Sequence, residues 1–246
     1  MTNPTAAILV IGNEVLSGRT QDANVNFIAK RLSDLGVTLS EVRIIPDIEG
    51  MIIDAIRTLS DKYDQVFTTG GIGATHDDIT AASIAKAFNR SLHTDPEAVK
   101  ILQTYYLERL NETRLKMAII PEGSSLIKNP VSAAPGFQIK NVYCMAGIPA
   151  VMQAMFDVII PTLKIGQTFH AKTIKSFILE NDIAQPLTDI QNAHTTVEIG
   201  SYPSFLSPGK WGVSLVVRGT DLDAINHSID DICAMIKAQG HEYIIE

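Results

Sequence analysis

The segment Gln65-Val-Phe-Thr-Thr-Gly-Gly-Ile-Gly-Ala-Thr-His-Asp-Asp-Ile-Thr80 passes from a strand-forming run, through three glycines, to the start of a helical pattern at Ile79–Phe88. A strand that runs straight into glycines and then a helix belongs to a parallel sheet, and its carboxyl end is where such sheets bind ligands. Upstream, Ala6-Ala-Ile-Leu-Val-Ile11 is continuously apolar, as a strand covered on both faces should be. Gly12–Gly18 reads as a turn. A helix follows over Asp22–Leu35, with Phe27, Ile28, Leu32 and Leu35 at helical spacing and Gly36 as its stop. Val42–Ile45 reads as the next strand, and Asp47 as the cap of a helix carrying Ile52, Ile53, Ile56 and Leu59. Downstream, Asp95-Pro96 opens a helix toward Leu110. Strands are expected over Ser125–Lys128, Gly136–Ile139 and Val142–Met145, the last two joined as a hairpin at Asn141, and a helix over Ile148–Leu163. The alternation implies a mostly parallel sheet with helices on both faces and a local antiparallel addition.

The pattern pauses over Ile165–Ala171, which places a domain boundary there: 1–168 and 171–246. The second part reads as a small α+β module. Its strands are Lys172–Leu179, Thr196–Gly200 and Trp211–Arg218, and its helices Asp182–Gln191 and Asp221–Gln239. Trp211 is its expected core anchor. The chain has 246 residues, 46% apolar and 19% charged, which excludes a disordered chain. Twenty-seven acids against 20 bases leave a net charge of −7. That balance argues against nucleic acid as a partner. Two cysteines, Cys144 and Cys233, are too few for a disulfide framework or a zinc site and suit a reducing cytoplasm. No apolar run reaches the ~18 residues that a membrane helix needs, and the N-terminus lacks a signal-peptide pattern. A cytoplasmic protein with no membrane partner is expected.

Gly70, Gly71 and Gly73 allow backbone N–H groups to approach an anion closely, and the following helix start adds partial positive charge. Thr69, Thr75 and Thr80 supply hydroxyls for phosphate or ribose. The spacing is neither G-x-G-x-x-G nor a P-loop. Asp77 and Asp78 beside a phosphate cradle call for a cation between the charges, so a divalent metal, Mg²⁺ or a similar hard ion, is the economical reading; a structural role as helix caps competes with it. In Gly12-Asn-Glu-Val-Leu-Ser-Gly18, Glu14 sits at the same sheet edge as metal ligand, general base or ribose acceptor. A solvated Glu14, with Asn13 shaping the turn and Asp22 capping, competes there. The loops Asn129–Phe137 and Met145–Pro149, with Ser132, Pro135, Gly136 and Gly147, have the small residues that a close ligand needs, or that a plain turn needs. His76 is a further candidate for phosphate contact.

Taken in order, Gly12–Gly18, Asp22-x-Asn24, Thr69–Thr80, Ala134-Pro-Gly136 and Gly147-Ile-Pro149 resemble the MoCF-biosynthesis (molybdopterin-binding) domain family, most of all its CinA-type branch. The resemblance covers about residues 1–170, and Tyr202-Pro203 with Val213–Arg218 is similar to that branch's small KH-like second domain. The C-terminal deamidase domain of CinA proteins is not expected in a chain that stops at Glu246. The resemblance implies a three-layer α/β/α domain. It also implies a divalent-metal-dependent pyrophosphatase acting on ADP-ribose or a similar dinucleotide, with Mg, Mn or Co as cofactor. The alternative is a binding protein for molybdopterin or its adenylylated form. A similar domain in eukaryotic FAD synthases is linked to FAD hydrolysis. By motif, Gly70, Gly71 and Gly73 would cradle phosphate and Asp78 would be the essential acid. Asp77, Glu14 and Asn24 would complete the metal and pyrophosphate site. A homodimer is expected on the same ground. Ala74, Ser132, Ala146 and Val151 stand where the family usually has Pro, Gly, Pro and an acid.

Overall fold

In the computed structural model, which describes residues 3–207 and 210–246, the unbroken apolar run of the first strand is explained by what lies on its two faces. The chain divides into two compact units, Met1–Gly166 and Gln167–Glu246. In order, the first contains β1 (Thr5–Ile11), α1 (Asn13–Leu16), α2 (Asn24–Asp34), β2 (Thr38–Ile45), α3 (Glu49–Lys62), β3 (Gln65–Thr69), α4 (Thr80–Ala87), β4 (Leu92–Thr94), α5 (Pro96–Tyr106), α6 (Glu112–Leu115), β5 (Ile119–Pro121), β6 (Ser125–Ile127), β7 (Gly136–Ile139), β8 (Val142–Met145) and α7 (Pro149–Ile159). Ala7, Leu9 and Ile11 point toward α3 and α4, packing with Ile52, Ile56, Leu59 and Ile84. Ala6, Ile8 and Val10 point toward α2 and α7, packing with Ile28, Leu32, Met152, Met155 and Phe156. A period-two strand buried on both sides must be apolar at every position. Phe67 anchors the second face, stacked on Tyr143 at 5.3 Å and tilted against Phe156 at 5.5 Å.

The sheet order is β2-β1-β3-β8-β7-β6. β2, β1, β3 and β8 are parallel. The hairpin β7–β8 and its neighbour β6 are antiparallel. The expected mixed α/β architecture with a mainly parallel sheet is therefore present. Because β2 lies on one side of β1 and β3 on the other, the order reverses between β1 and β3, and their carboxyl ends open a crevice.

Several local expectations change. The Gly12–Gly18 segment is not a plain turn; Asn13–Leu16 makes one helical turn, with Ser17 N–H donating to Asn13 O. Asp47 does not cap α3. Its Oδ2 accepts the Asn13 N–H at 3.0 Å, and α3 begins without a side-chain cap. The chain leaving β2 turns at Pro46, which delivers Asp47 to the loop after β1 rather than back to its own helix. Asp95 does cap α5, accepting from Ala98 N–H at 2.8 Å, but the helix stops at Tyr106 because Leu107 adopts φ 49°. α7 tightens into a 3-10 turn over Ile160–Thr162, where Pro161 lacks the N–H that an α-helix requires. The short pair β4–β5 had no readable period, at three residues a strand.

Glu41 on β2 gives a testable pH dependence. It accepts from the Tyr63 hydroxyl at 2.7 Å, from Arg43 at 2.6 Å and from Lys62 at 3.2 Å. The Tyr63 bond first, then the two cations, hold its carboxyl at about 2 instead of 4.5. A folded-state value below the unfolded one stabilises above the unfolded value, and that stabilisation fades as pH falls toward about 2. Urea midpoints of the wild type and Glu41→Gln should differ near neutral pH and converge in acid. A gap that stays constant across that range would refute the linkage.

The second unit contains β9 (His170–Ser176), α8 (Glu180–Ala193), β10 (Glu198–Ser207), β11 (Lys210–Gly219), α9 (Leu222–Ala238) and β12 (Tyr243–Ile245). Its antiparallel sheet has the order β10-β11-β9-β12. Ile174, Val213, Leu215 and Val217 alternate into a core shared with Ile225, Ile229, Ile232 and Ile236 of α9. β12 was not anticipated; three residues become a strand only because the β9 edge is there to pair with. Tyr202-Pro203 lies within β10 rather than after a strand, on a sheet edge where proline's missing donor costs no ladder bond. Trp211 is 56% exposed, so it is no core anchor; the core is filled by the isoleucines of α9. Asp221 caps α9, accepting from Asp223 N–H at 2.8 Å and Ala224 N–H at 3.3 Å. Asp221→Ala should cost about 1 kcal/mol, read from chemical denaturation; no change in midpoint would show the cap to be inert. Cys144 and Cys233 are both free and buried, as small core residues. Among the described residues, no helix is long and apolar enough to cross a membrane.

Candidate functional site

Four chain segments leave the carboxyl edge of the parallel strands, and together they wall a cavity of about 580 Å³. Gly12, Glu14 and Thr20 come from the segment after β1, and Asp47 from the end of β2. Gly70–Gly73, Asp77 and Asp78 follow β3, and Ala146–Pro149 follows β8. Asn129, Ser132 and Ala134 close one side, with Tyr106 and Met117 beyond them. The cavity thus lies at the switch point that the strand order dictates.

The glycine loop is held by its own residues. Gly70 has φ 103° and Gly71 φ 67°, the left-handed region where a side chain is strained. A Cβ at Gly70 would collide with the Ile11 carbonyl oxygen, and one at Gly71 with the Thr80 hydroxyl. The buried Thr80 hydroxyl donates to Gly70 O at 3.1 Å, and Thr80 N–H to Gly71 O at 3.1 Å. Asp78 closes the loop on itself. Its Oδ1 accepts from Gly73 N–H at 2.7 Å, and its Oδ2 from Thr75 N–H at 2.8 Å and the Thr75 hydroxyl at 2.5 Å. Asp78 is therefore a loop-shaping residue as well as an acid on the cavity wall, and it does not cap α4. The Gly73 amide is spent on Asp78, whereas the Gly71, Ile72 and Gly147 amides make no backbone hydrogen bond among the described residues.

Charge on the wall is one-sided. Glu14, Asp47, Asp77 and Asp78 line it, and among the described residues no Lys, Arg or His does. Asp47 already accepts from Asn13 N–H. The Glu14 carboxylate folds back over the Gly12 Cα, and among the described residues no donor engages it. Among the described residues, no group of three or more His, Cys, Asp or Glu is gathered closely enough to cage a metal ion by itself.

Of the residues expected at the site, Gly12, Glu14, Gly70, Gly71, Gly73, Asp77, Asp78, Ser132 and Gly147 reach this wall. Thr75 and Pro135 line a smaller space of about 70 Å³ that shares Gly71, Gly73 and Asp78 with the main cavity and includes Lys116. Asn24 and Thr69 lie behind the wall. Asn24 Nδ2 donates to Gly147 O at 2.8 Å, while Asn24 Oδ1 and Thr69 Oγ1 are buried without a protein partner. Thr80 is fully buried as a brace. Gly136 sits inside β7, its Cα faced by the Cys144 carbonyl and Met155, so its small size serves sheet packing. His76 is exposed and off the wall.

Asp47, Thr20, Tyr106 and Met117 escaped sequence reasoning, and Asn129 entered it only as the start of the loop Asn129–Phe137. Asn129 had a local signal. Its Oδ1 accepts from Val131 and Ser132 N–H at 3.0 Å, and its Nδ2 donates to Ser132 Oγ at 2.8 Å and Ala134 O at 2.9 Å. This is the turn chemistry expected of an Asn ahead of a proline. Ser132, where the family usually has Gly, is a member of that network. Val151, where the resemblance implies an acid, lines the same cavity with its body buried against the α2–α7 side of the sheet.

Residues 7–165 match the family model described as a probable molybdopterin binding domain. The chain belongs to the molybdopterin-binding domain family. Residues 168–243 match a second model, the middle domain of FAD synthase. This family member is 38% identical over 222 residues to a protein of Archaeoglobus fulgidus, across 90% of this chain and 93% of the relative. It is 35% identical over 226 residues to a probable FAD synthase of Caenorhabditis elegans, across 81% of this chain and 44% of that one, so it spans less than half of the nematode protein. Among solved structures, CinA of unknown function from Thermoplasma acidophilum superposes with a TM-score of 0.61 at 33% identity, covering 64% of this chain and 98% of that one. The CinA-type branch suggested by the order and spacing of the motifs is thus also the structural likeness.

Proposed function

We propose that this molybdopterin-binding domain protein is a divalent-cation-dependent pyrophosphatase that cleaves ADP-ribose or a similar dinucleotide. The observation that carries this reading is the cavity with four carboxylates and no basic side chain beside unspent backbone amides. A pyrophosphate anion entering such a wall needs cations to offset the repulsion. The donor set is all oxygen, which fits Mg²⁺, Mn²⁺ or Co²⁺ shared between protein carboxylate and substrate phosphate better than a protein-only cage. Asp77 would hold the ion, with the remaining lone pair of Asp78 Oδ1. When bound, the ion neutralises the anhydride and polarises phosphorus.

The chain's own residues do the rest. The Gly71, Ile72 and Gly147 amides bind phosphate oxygens; Thr80 and Asp78 keep the glycine loop in place, and Asn24 holds Gly147. Glu14, whose carboxylate takes no donor from the described residues, orients a water and accepts its proton as the water oxygen bonds to phosphorus and the anhydride bond breaks. ADP-ribose would give AMP and ribose 5-phosphate. The test is product release from ADP-ribose, FAD and NAD with Mg²⁺, Mn²⁺ or Co²⁺ and with chelator. Metal-dependent turnover supports the reading, and its absence with all three substrates refutes it.

The family description favours a second reading, a pterin- or nucleotide-binding protein without hydrolysis. The same amide cradle would serve it. A ligand-induced rise in melting temperature without product is its signature. The homodimer expected by resemblance is checked by sedimentation of the purified chain.

A further inference from the structure

A second opening lies across the Asn129–Ala134 loop from the acidic cavity. This groove, of about 660 Å³, runs between the loop and α5. Glu97, Lys100, Ile101, Thr104 and Tyr105 of α5 face it, a spacing that puts all of them on one stripe of the helix. The loop is a thin partition. Pro130 and Ala133 turn to the groove, Ser132 and Ala134 to the acidic cavity, and Asn129 lines both. Tyr105 and Tyr106 repeat that division, Tyr105 on the groove and Tyr106 on the cavity. Their rings meet edge to face at 5.0 Å, which fixes the plane of Tyr105, and that residue is 48% exposed.

We propose that this groove seats the planar heteroaromatic ring of a nucleotide, stacked on Tyr105, with the nucleotide's phosphates over the partition in the acidic cavity. The inference rests on the proposed dinucleotide chemistry for the position of the phosphates, but ring binding can be read without turnover. A dinucleotide has a charged centre and flat, largely apolar ends. The acidic cavity with its amides suits the first. The groove, with Ile101, Pro130, Ala133 and an open tyrosine face, suits the second, and Thr104, Glu97 and Lys100 provide donors and acceptors for ring edges or ribose. Each space alone lies within the range of ordinary ligand pockets, and a dinucleotide would span both.

The experiment is titration of the full chain with AMP and, separately, FMN in the presence of Mg²⁺, followed by calorimetry and by aromatic NMR shifts. The two probes distinguish a purine from a flavin ring. Tyr105→Ala should weaken the bound probe about tenfold or more, and Tyr105→Phe, which keeps the stacking face, should restore it. Absence of binding by both probes, or an affinity indifferent to Tyr105→Ala, overturns the proposal. So does a Tyr105→Ala chain that changes its sedimentation state, because the groove would then be covered by a second copy. Ring binding that depends on Tyr105 without any hydrolysis would refute the pyrophosphatase reading and leave the groove assignment standing. Hydrolysis with a KM indifferent to Tyr105 would do the reverse.

Discussion

Replacing Gly70 with alanine is expected to destabilise the protein by about 3 kcal/mol or more, lowering the melting temperature by about 6–12 °C. Two costs add. The φ of 103° is one that an L side chain rarely adopts, and the new Cβ would press on the Ile11 carbonyl oxygen, a backbone atom in the buried central strand. Neither can relax cheaply, because β1 is fixed by pairing on both sides. The same change at Gly18 is the control: its φ is 72°, but nothing lies within 4 Å of the added Cβ. Only the conformational cost of about 1 kcal/mol applies there. Thermal melts of the two variants separate strain from collision. Equal shifts would show that β1 and the glycine loop do not make the close approach described.

The second large effect concerns activity. Glu14→Gln should lower metal-dependent turnover about a hundredfold or more while leaving stability within about 0.5 kcal/mol. The Glu14 side chain is exposed and engages no protein donor, so the substitution removes charge and basicity and little else. Asp78→Asn is a less discriminating test, although the sequence points to it first. Asp78 accepts three hydrogen bonds from Gly73 and Thr75, and an amide in its place would set an N–H against donors. That variant should lose both activity and about 1–3 kcal/mol of stability, and its activity loss alone would not separate cation binding from loop shape. Progress curves with and without chelator, beside melts of both variants, make the distinction. Full turnover in Glu14→Gln would remove this residue from the chemistry.

Much of this was legible in the order of residues. Ala6–Ile11 had to be a doubly covered strand because no polar residue interrupts it. Asp95-Pro96 and Asp221 were readable as helix starts because capping is a contact over two or three residues. The glycines after Thr69 marked the sheet edge where the cavity opens because strand, glycine loop and helix are contiguous. Not every short element was legible. The three-residue strands β4, β5 and β12 carry no period of their own and exist only because a partner strand is near.

The site divides along the same line. Gly70, Gly71, Asp77 and Asp78 stand in one stretch, so the sequence alone showed a glycine loop with acids beside it, and the family that owns it. What those groups do to one another is a matter of three dimensions. Asp78 turns back on Gly73 and Thr75, Gly136 is held small by Cys144 and Met155, and Trp211 lies outside the core. Asp47 joins the wall from a strand end more than 20 residues distant, through a bond to Asn13, and the Asn129 loop joins from farther still. Local sequence fixes backbone conformation and the menu of chemical groups, because both depend on neighbours along the chain. Which carboxylates share a cavity, and which amides remain unspent inside it, depends on strand order and on hydrogen bonds between distant segments, and only the folded sheet decides them.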